Sequence, residues 1–263
     1  MAKTLEFPAL LRLIDERATA FRAAILSAPS LDLPVPTCPD WTLLDLVEHL
    51  GKGQRKWTAV VHAGPAATPP AEFAPDGLDP APREREALLT WWDDSTARLL
   101  NALREAGPDR GCWTWWGGSE SPQTAGAVAR HRVQEVAVHT YDAQITQDAP
   151  HPLPEDVALD GVDEFLTTCC ATTIAWPHKP ADLDFHAIEG HSWRLSLDAE
   201  GARTTRLPSA TAAGEGPDAP TASARATASD VVLWLYNRIP LDSLRLHGDG
   251  RVFDLLRDWN PDE

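Results

Sequence analysis

Four long segments repeat apolar residues at the spacing of an amphipathic helix, and they constrain the fold more than any other feature. The segments are residues 7–27, a stretch that opens at Thr42, residues 83–106 and residues 124–146. Thr42 followed by Asp45 resembles a capping box, which marks the start of the second helix. Four such helices in series predict a bundle, and bundles hold metal sites on facing helices.

The pattern changes after the proline-rich residues 150–154. A fifth helix is predicted over residues 155–173, and period-two alternation then predicts strands at 183–187 and 193–197. Two further strands are predicted at 221–228 and 244–247. Two further helices are predicted, one at 230–238 that is capped by Ser229 and one at 252–259. Residues 63–82 and 211–220 are predicted to be loops. The fold class is therefore α+β, with domains predicted over residues 1–150 and 151–263.

The net charge of −16, from 39 acidic and 23 basic residues, argues against nucleic acid and anionic membranes as partners. The N-terminus has no apolar signal core, and no apolar run reaches the roughly 18 residues that span a bilayer. The four cysteines show neither a C-x-x-C pair nor the spacing of a disulfide scaffold. A cytoplasmic location is expected, and the oligomeric state stays open.

Glu135 and His139 lie four residues apart in a helical pattern, so they share one face of the helix and can both bind one divalent cation. His49, far upstream, is a third candidate ligand. Together they would form a His2Glu site with an open coordination position, which is typical of catalytic metals. Zn²⁺ suits these ligands best, and Ni²⁺, Co²⁺ or Fe²⁺ are compatible with them. The alternative is an exposed helical pair, although the apolar setting of Glu135 argues against it.

Other residues near this pair have more than one interpretation each. Asp142, three residues after His139, either orients that imidazole or faces solvent. His131 is either a fourth ligand, a proton carrier or a polar residue at the rim. Trp115 and Trp116, in a tryptophan-rich loop ahead of the helix, either line a substrate pocket or pack in the core.

Three sequence motifs resemble the mycothiol-dependent maleylpyruvate isomerase family, whose members are related to DinB-like four-helix metalloproteins. The motifs are Pro36-Thr37-Cys38-Pro39-Asp40-Trp41, Asp45-Leu46-Val47-Glu48-His49-Leu50-Gly51 and Arg132-x-x-Glu135-x-x-x-His139-x-Tyr141-Asp142. The C-terminal part is similar to that family's small α/β domain, which has a sterol-carrier-protein-like fold. Residues 229–238 resemble a helix ending in Gly-Arg, with Asn237 in place of the glycine.

This resemblance implies zinc bound by His49, Glu135 and His139, and Arg238 as a residue important for activity. It implies an enzyme that activates mycothiol, a low-molecular-weight thiol, for addition to or exchange on a small electrophile, as a cis–trans isomerase or an S-transferase. Arg238 would pair with a carboxylate, or would serve only as a cation at a helix C-terminus. The alternatives are a non-catalytic metal- or ligand-binding regulator and a metal-dependent hydrolase, for which no base is clearly placed.

Overall fold

The computed structural model describes residues 5–74, 77–208 and 219–259, which divide into two compact units. The first comprises Leu5–Gly117 and Pro122–Leu153, and the second comprises Gly118–Ser121 together with the chain from Pro154. The predicted α+β class is confirmed. The domain boundary at residue 150 stays a prediction.

The first unit is helical, as predicted. Its helices are α1 (Phe7–Ser27), α2 (Leu43–Ala63), α3 (Arg85–Ala106) and α4 (Ala125–Ile145). Helix α1 packs against α3 and α4, and α2 packs against the same two helices. Phe21 and Trp92 meet in the core with ring centroids 5.0 Å apart. The predicted loop before α3 contains one short 3-10 turn, Ala71–Phe73.

Helix α2 begins where the sequence predicted, because the capping box forms. Thr42 accepts a hydrogen bond from the backbone of Asp45, and the Asp45 carboxylate accepts one from the backbone of Thr42. Helix α4 begins similarly at Thr124, whose side chain accepts from Ala127. Unlike a surface helix, α4 buries side chains around most of its circumference. Polar residues on α4 are therefore carried into the interior and need partners there.

The second unit contains a mixed sheet with helices. The strands are β1 (Ala181–Ala187), β2 (Ser192–Asp198), β3 (Gly201–Leu207), β4 (Ala222–Ala226) and β5 (Arg245–Gly248). Their order is β3-β2-β1-β4-β5, in which β1 and β4 are parallel and the other neighbours are antiparallel. The helices are α5 (Glu155–Phe165), α6 (Ala228–Leu235) and α7 (Arg251–Asp258).

One face of this sheet forms the core of the unit. Phe185 on β1 packs against Trp234 of α6 and Phe253 of α7, with ring centroids 6.1 and 5.6 Å away. The opposite face carries polar side chains, because residues alternate between the two faces of a strand. Asp184 and Arg194 form a bidentate ion pair on that polar face, with N–O distances of 2.6 and 2.9 Å.

Several predicted details of the second unit were wrong. The fifth helix does not run regularly to residue 173: α5 ends at Phe165 and continues as a wider π-helical turn, Leu166–Cys170, closed by the bond from Ala171 N to Leu166 O. Helix α6 is capped by Thr227 rather than Ser229 and ends at Leu235. Strand β3 was not predicted at all. The predicted loop at 211–220 lies, for residues 211–218, outside the described residues.

No helix among the described residues has both the length and the apolar character needed to cross a bilayer.

Candidate metal centre

The three predicted ligands converge in the helical unit. His49 comes from α2, and Glu135 and His139 come from successive turns of α4. His49 Nε2 lies 3.7 Å from Glu135 Oε2, and the two imidazole rings meet edge to face with centroids 5.1 Å apart. One ligand atom from each residue lies within 4.8 Å of the other two. Two distant parts of the sequence therefore present two nitrogens and one oxygen to the same small volume.

The spacing of these atoms fits a tetrahedral cation. Two ligand atoms that each lie about 2.1 Å from a tetrahedral Zn²⁺ are about 3.4 Å apart. The 3.7 Å between His49 Nε2 and Glu135 Oε2 is close to that value and too long for a hydrogen bond of normal strength. His49 is the most exposed of the three, with 42% of its side chain accessible. The cluster is thus reachable from solvent on the His49 side.

A hydrogen-bond network lies behind His139. The fully buried Asp142 places Oδ2 at 2.7 Å from His139 Nδ1. Thr37 donates its hydroxyl to Asp142 Oδ1 at 2.6 Å, and the Cys38 thiol donates to Oδ2 at 3.4 Å. An ionised carboxylate only accepts, so this arrangement assigns the His139 proton to Nδ1 and leaves the Nε2 lone pair for another partner.

Cys38, His139 and Asp142 form a second group whose ligand atoms also lie within 4.8 Å of one another. The 2.7 Å between His139 Nδ1 and Asp142 Oδ2 is a hydrogen-bond distance and is shorter than the spacing expected across a tetrahedral cation. We therefore interpret this second group as a hydrogen-bond network that supports His139.

The charge state of Glu135 suits a ligand. Burial raises the pKa of this carboxyl group, but the nearby His49 imidazole and the charge of Arg132 act in the opposite direction. Together with the neighbouring His139 and His131 side chains, they hold the pKa of Glu135 well below its ordinary value. Arg132 Nη1 lies 3.4 Å from Glu135 Oε2. The carboxylate is therefore ionised at neutral pH, as cation binding requires.

The proline-rich segment before α2 supplies residues that the sequence reasoning did not assign to the site. Besides Thr37 and Cys38, it brings the Trp41 ring to 4.7 Å from the His49 ring and 6.1 Å from the His139 ring. The segment is closed by a hydrogen bond from Val35 N to Trp41 O. In the sequence, only the closeness of these residues to His49 in the first two motifs could have indicated that they belong to the site.

The tryptophans of the predicted pocket wall differ in exposure. Trp115 is 44% exposed, whereas Trp116 is buried and donates its indole N–H to the backbone oxygen of Pro122. His131, one turn before Glu135, is also buried, with ring centroids 5.7 Å from Trp115 and 5.2 Å from Trp116. This burial argues against the alternative that His131 is a polar residue at the rim. An aromatic cluster surrounds this histidine.

Arg238 lies in the second unit, immediately after α6. Asn237 adopts a left-handed conformation with φ of 60°, and the bonds Asn237 N to Trp234 O and Arg238 N to Leu233 O form a Schellman motif. Asparagine tolerates this conformation better than other non-glycine residues, which explains how it replaces the glycine expected from the resemblance. Arg238 Nη1 donates a hydrogen bond to the backbone oxygen of Tyr236 at 2.6 Å.

These features define a class: an α+β protein whose helical unit carries a His2Glu cluster with a buried carboxylate behind one histidine. The family model for the mycothiol maleylpyruvate isomerase N-terminal domain matches residues 11–144, and the model for that family's C-terminal domain matches residues 156–256. The chain belongs to the mycothiol maleylpyruvate isomerase family.

Solved structures support the same fold. The chain is similar to a crystal structure of the mycothiol-dependent maleylpyruvate isomerase, with 17% sequence identity and a TM-score of 0.62, covering 94% of this chain and 95% of the other. A crystal structure of a histidine-to-alanine mutant of that enzyme matches with 16% identity, the same TM-score and the same coverage. No curated protein matches the chain.

Proposed function

We propose that this protein is a zinc-dependent enzyme that activates mycothiol for reaction with a small electrophile, as a cis–trans isomerase or an S-transferase. The observation that carries the proposal is the convergence of His49, Glu135 and His139, with one ligand atom from each inside 4.8 Å. Membership of the mycothiol maleylpyruvate isomerase family supports the choice of thiol. The cytoplasmic location stays a prediction.

The donor set fits a catalytic zinc ion in two respects. Two imidazoles and one carboxylate are borderline ligands that leave a fourth position open, and Asp142 fixes the tautomer of His139 as outer carboxylates do in zinc sites. Zn²⁺ held by these residues would lower the pKa of a bound thiol, so that the thiolate would predominate at neutral pH. Arg132 lies 3.4 Å from the Glu135 carboxylate and offsets its charge.

The reaction follows from the chemistry of a thiolate. Its addition to a conjugated carbon forms a C–S bond and leaves a single bond that can rotate, and its departure restores the double bond in the other geometry. Retention of the thiol, or its exchange with another sulfur carrier, gives S-transfer instead. We assign the substrate carboxylate to Arg238, whose planar guanidinium suits it. Trp115 offers an exposed aromatic face to a planar substrate, with Trp116 packed against it at 5.2 Å.

The test measures metal content and thiol binding on the same samples. Wild-type protein should contain about one zinc ion per chain, and His139→Ala should lose it, because only one imidazole and one carboxylate remain. Mycothiol at about 100 times its dissociation constant should stabilise the zinc-loaded wild type by roughly 2.7 kcal/mol. Glutathione at the same concentration should give a smaller effect.

His62→Ala is the matched control, because this exposed histidine ends the same helix as His49 and belongs to neither group of potential ligands. It should keep its zinc. Full zinc content in His139→Ala would show that the ligand assignment is wrong. Zinc binding without any response to mycothiol would favour a metal-binding regulator over the enzyme.

A further inference from the structure

The polar face of the C-terminal sheet carries a row of side chains that the proposed function does not use. Strand pairing aligns Ser192 with His186, His186 with Arg225, and Arg225 with Arg245. Directly paired residues point to the same face of a sheet, so these four side chains form one line across β2, β1, β4 and β5. We call this line the basic row.

The positions of the two arginines in the basic row do not favour the stability of the fold. Arg225 and Arg245 face each other across an antiparallel pair, where like charges repel. Neither guanidinium has a hydrogen bond or an ion pair within the described residues. The chain has 39 acidic and 23 basic residues, so a general shortage of acidic partners does not explain this.

Other arginines on the sheet do have acidic partners. Arg194, in the neighbouring row, is held by both oxygens of Asp184, and Arg203 on β3 pairs with Asp198. The Asp184 carboxylate is thereby hydrogen-bonded to Arg194 and not to an arginine of the basic row. Arg225 and Arg245 are both exposed, and no acidic side chain among the described residues forms an ion pair with either of them.

His186 adds a buried polar group to the same row. Its side chain is 7% exposed, and its Nδ1 lies 2.8 Å from the Ser192 hydroxyl, whereas its Nε2 is buried and has no hydrogen-bond partner among the described residues. Burial lowers the pKa of His186, and the charges of Arg225 and Arg194 lower it further, against the opposing effect of Asp184. When Ser192 donates to Nδ1, the proton of the neutral ring lies on Nε2, which then needs an acceptor.

We propose that the basic row is a binding site for an oxyanion, the phosphate or carboxylate group of a small molecule. Two neighbouring guanidinium groups can each donate two hydrogen bonds to such a group, and its charge removes their repulsion. His186, which is paired with Arg225 in the row, supplies a further donor. The site uses residues of the sheet alone and does not depend on metal binding by His49, Glu135 and His139.

The experiment measures the thermal stability and ligand affinity of the full chain with inorganic phosphate or succinate, against sodium chloride at equal ionic strength. Arg225→Gln and Arg245→Gln each remove one guanidinium from an exposed position and should fold normally. Arg251→Gln is the matched control: it makes the same change at an exposed arginine of the same unit that pairs with Asp249 outside the row. The affinity of the oxyanion should fall about tenfold or more in the first two variants.

The wild type and Arg251→Gln should show a rise in melting temperature with the oxyanion that exceeds the rise with chloride. Arg225→Gln and Arg245→Gln should lose most of that excess. A larger response to phosphate or to succinate identifies which group the site prefers. An equal response in all four proteins, or no excess over chloride in the wild type, would overturn the proposal.

Discussion

In the helical unit, the buried carboxylate of Asp142 has a hydrogen-bond partner at each oxygen, whereas on the sheet Arg225 and Arg245 face each other with no acidic partner in the described part of the chain. The difference follows from burial. A charge inside the protein must be compensated by the protein itself, because water cannot reach it. An exposed charge can be left without a partner at small cost and stays available to a ligand.

The Asp184–Arg194 pair shows that burial, rather than the type of secondary structure, decides the outcome. It lies on the same sheet face as the basic row, but Asp184 is 3% exposed and both of its oxygens are bonded. Replacing Asp184 with Ala removes both of these short bonds from the partly buried Arg194 guanidinium. We expect a loss of about 3 kcal/mol in the free energy of unfolding, measured with urea.

Asp198→Ala is the control for this prediction, because the Asp198–Arg203 pair is more exposed. Its loss should have a much smaller effect, because solvent screens an exposed pair. Equal effects of the two substitutions would contradict the view that burial separates these pairs.

The network behind His139 gives the next largest effect. Asp142→Asn keeps the shape of the side chain but replaces the carboxylate, so the proton on His139 Nδ1 is held less firmly. The affinity for zinc should fall by roughly 10- to 100-fold, measured by competition with a chelator. Thr37→Val, which removes one donor to the same carboxylate, should have a smaller effect.

Asp93→Asn serves as the control, since Asp93 lies on the surface in a pair with Arg22. Its zinc affinity should equal that of the wild type. An unchanged affinity in Asp142→Asn would mean that the hydrogen bond to His139 does not tune the metal site.

The smallest expected effect on stability concerns the Asp45 carboxylate, which is exposed and has its partner, Thr42, in the same helix cap. Hydrogen bonds from the Thr42 side chain and backbone hold the pKa of Asp45 below its ordinary value. Thr42→Ala should lower the free energy of unfolding by about 1 kcal/mol at pH 7. Because the folded-state pKa is depressed, Asp45 contributes stability above its unfolded pKa of about 3.9 and loses it as the pH falls through the folded value.

The difference between wild type and Thr42→Ala should therefore shrink as the pH falls below about 4. Unfolding measured across that range checks this. Thr90→Ala, at an exposed position within α3 where the hydroxyl donates to the backbone oxygen of Glu86, should show no such trend. A pH-independent difference between wild type and Thr42→Ala would show that the stabilising effect of the cap does not depend on the ionisation of Asp45.

The sequence predicted the elements in which apolar residues recur at regular spacing. Helices α1 to α4 and strands β1 and β2 have such apolar positions, and the structure confirms them, although α4 and β1 also bury polar side chains. Strand β3 was missed because its central residues, Arg203 to Arg206, are polar, and it pairs with β2 through its backbone at the edge of the sheet. A pattern of side-chain polarity cannot reveal a strand defined mainly by its backbone bonds.

The site was predictable only in part for a similar reason. Helical spacing placed Glu135 and His139 on one face, but Thr37, Cys38 and Trp41 lie in an irregular segment whose course depends on specific backbone bonds and on Asp40, with φ of 69°. No periodicity describes such a segment. The Schellman motif at Asn237 likewise depends on one left-handed residue.

The π-helical turn at the end of α5 holds one more residue per hydrogen-bonded ring than an α-helix does. The chain beyond it is consequently rotated by about a quarter turn relative to a continuous α-helix. That rotation presents Thr172 to Ala202, with which it exchanges two backbone hydrogen bonds of 3.0 and 2.8 Å. Removing a single residue from this turn would change the direction in which the chain meets the sheet edge, so its length is under tighter constraint than its side chains.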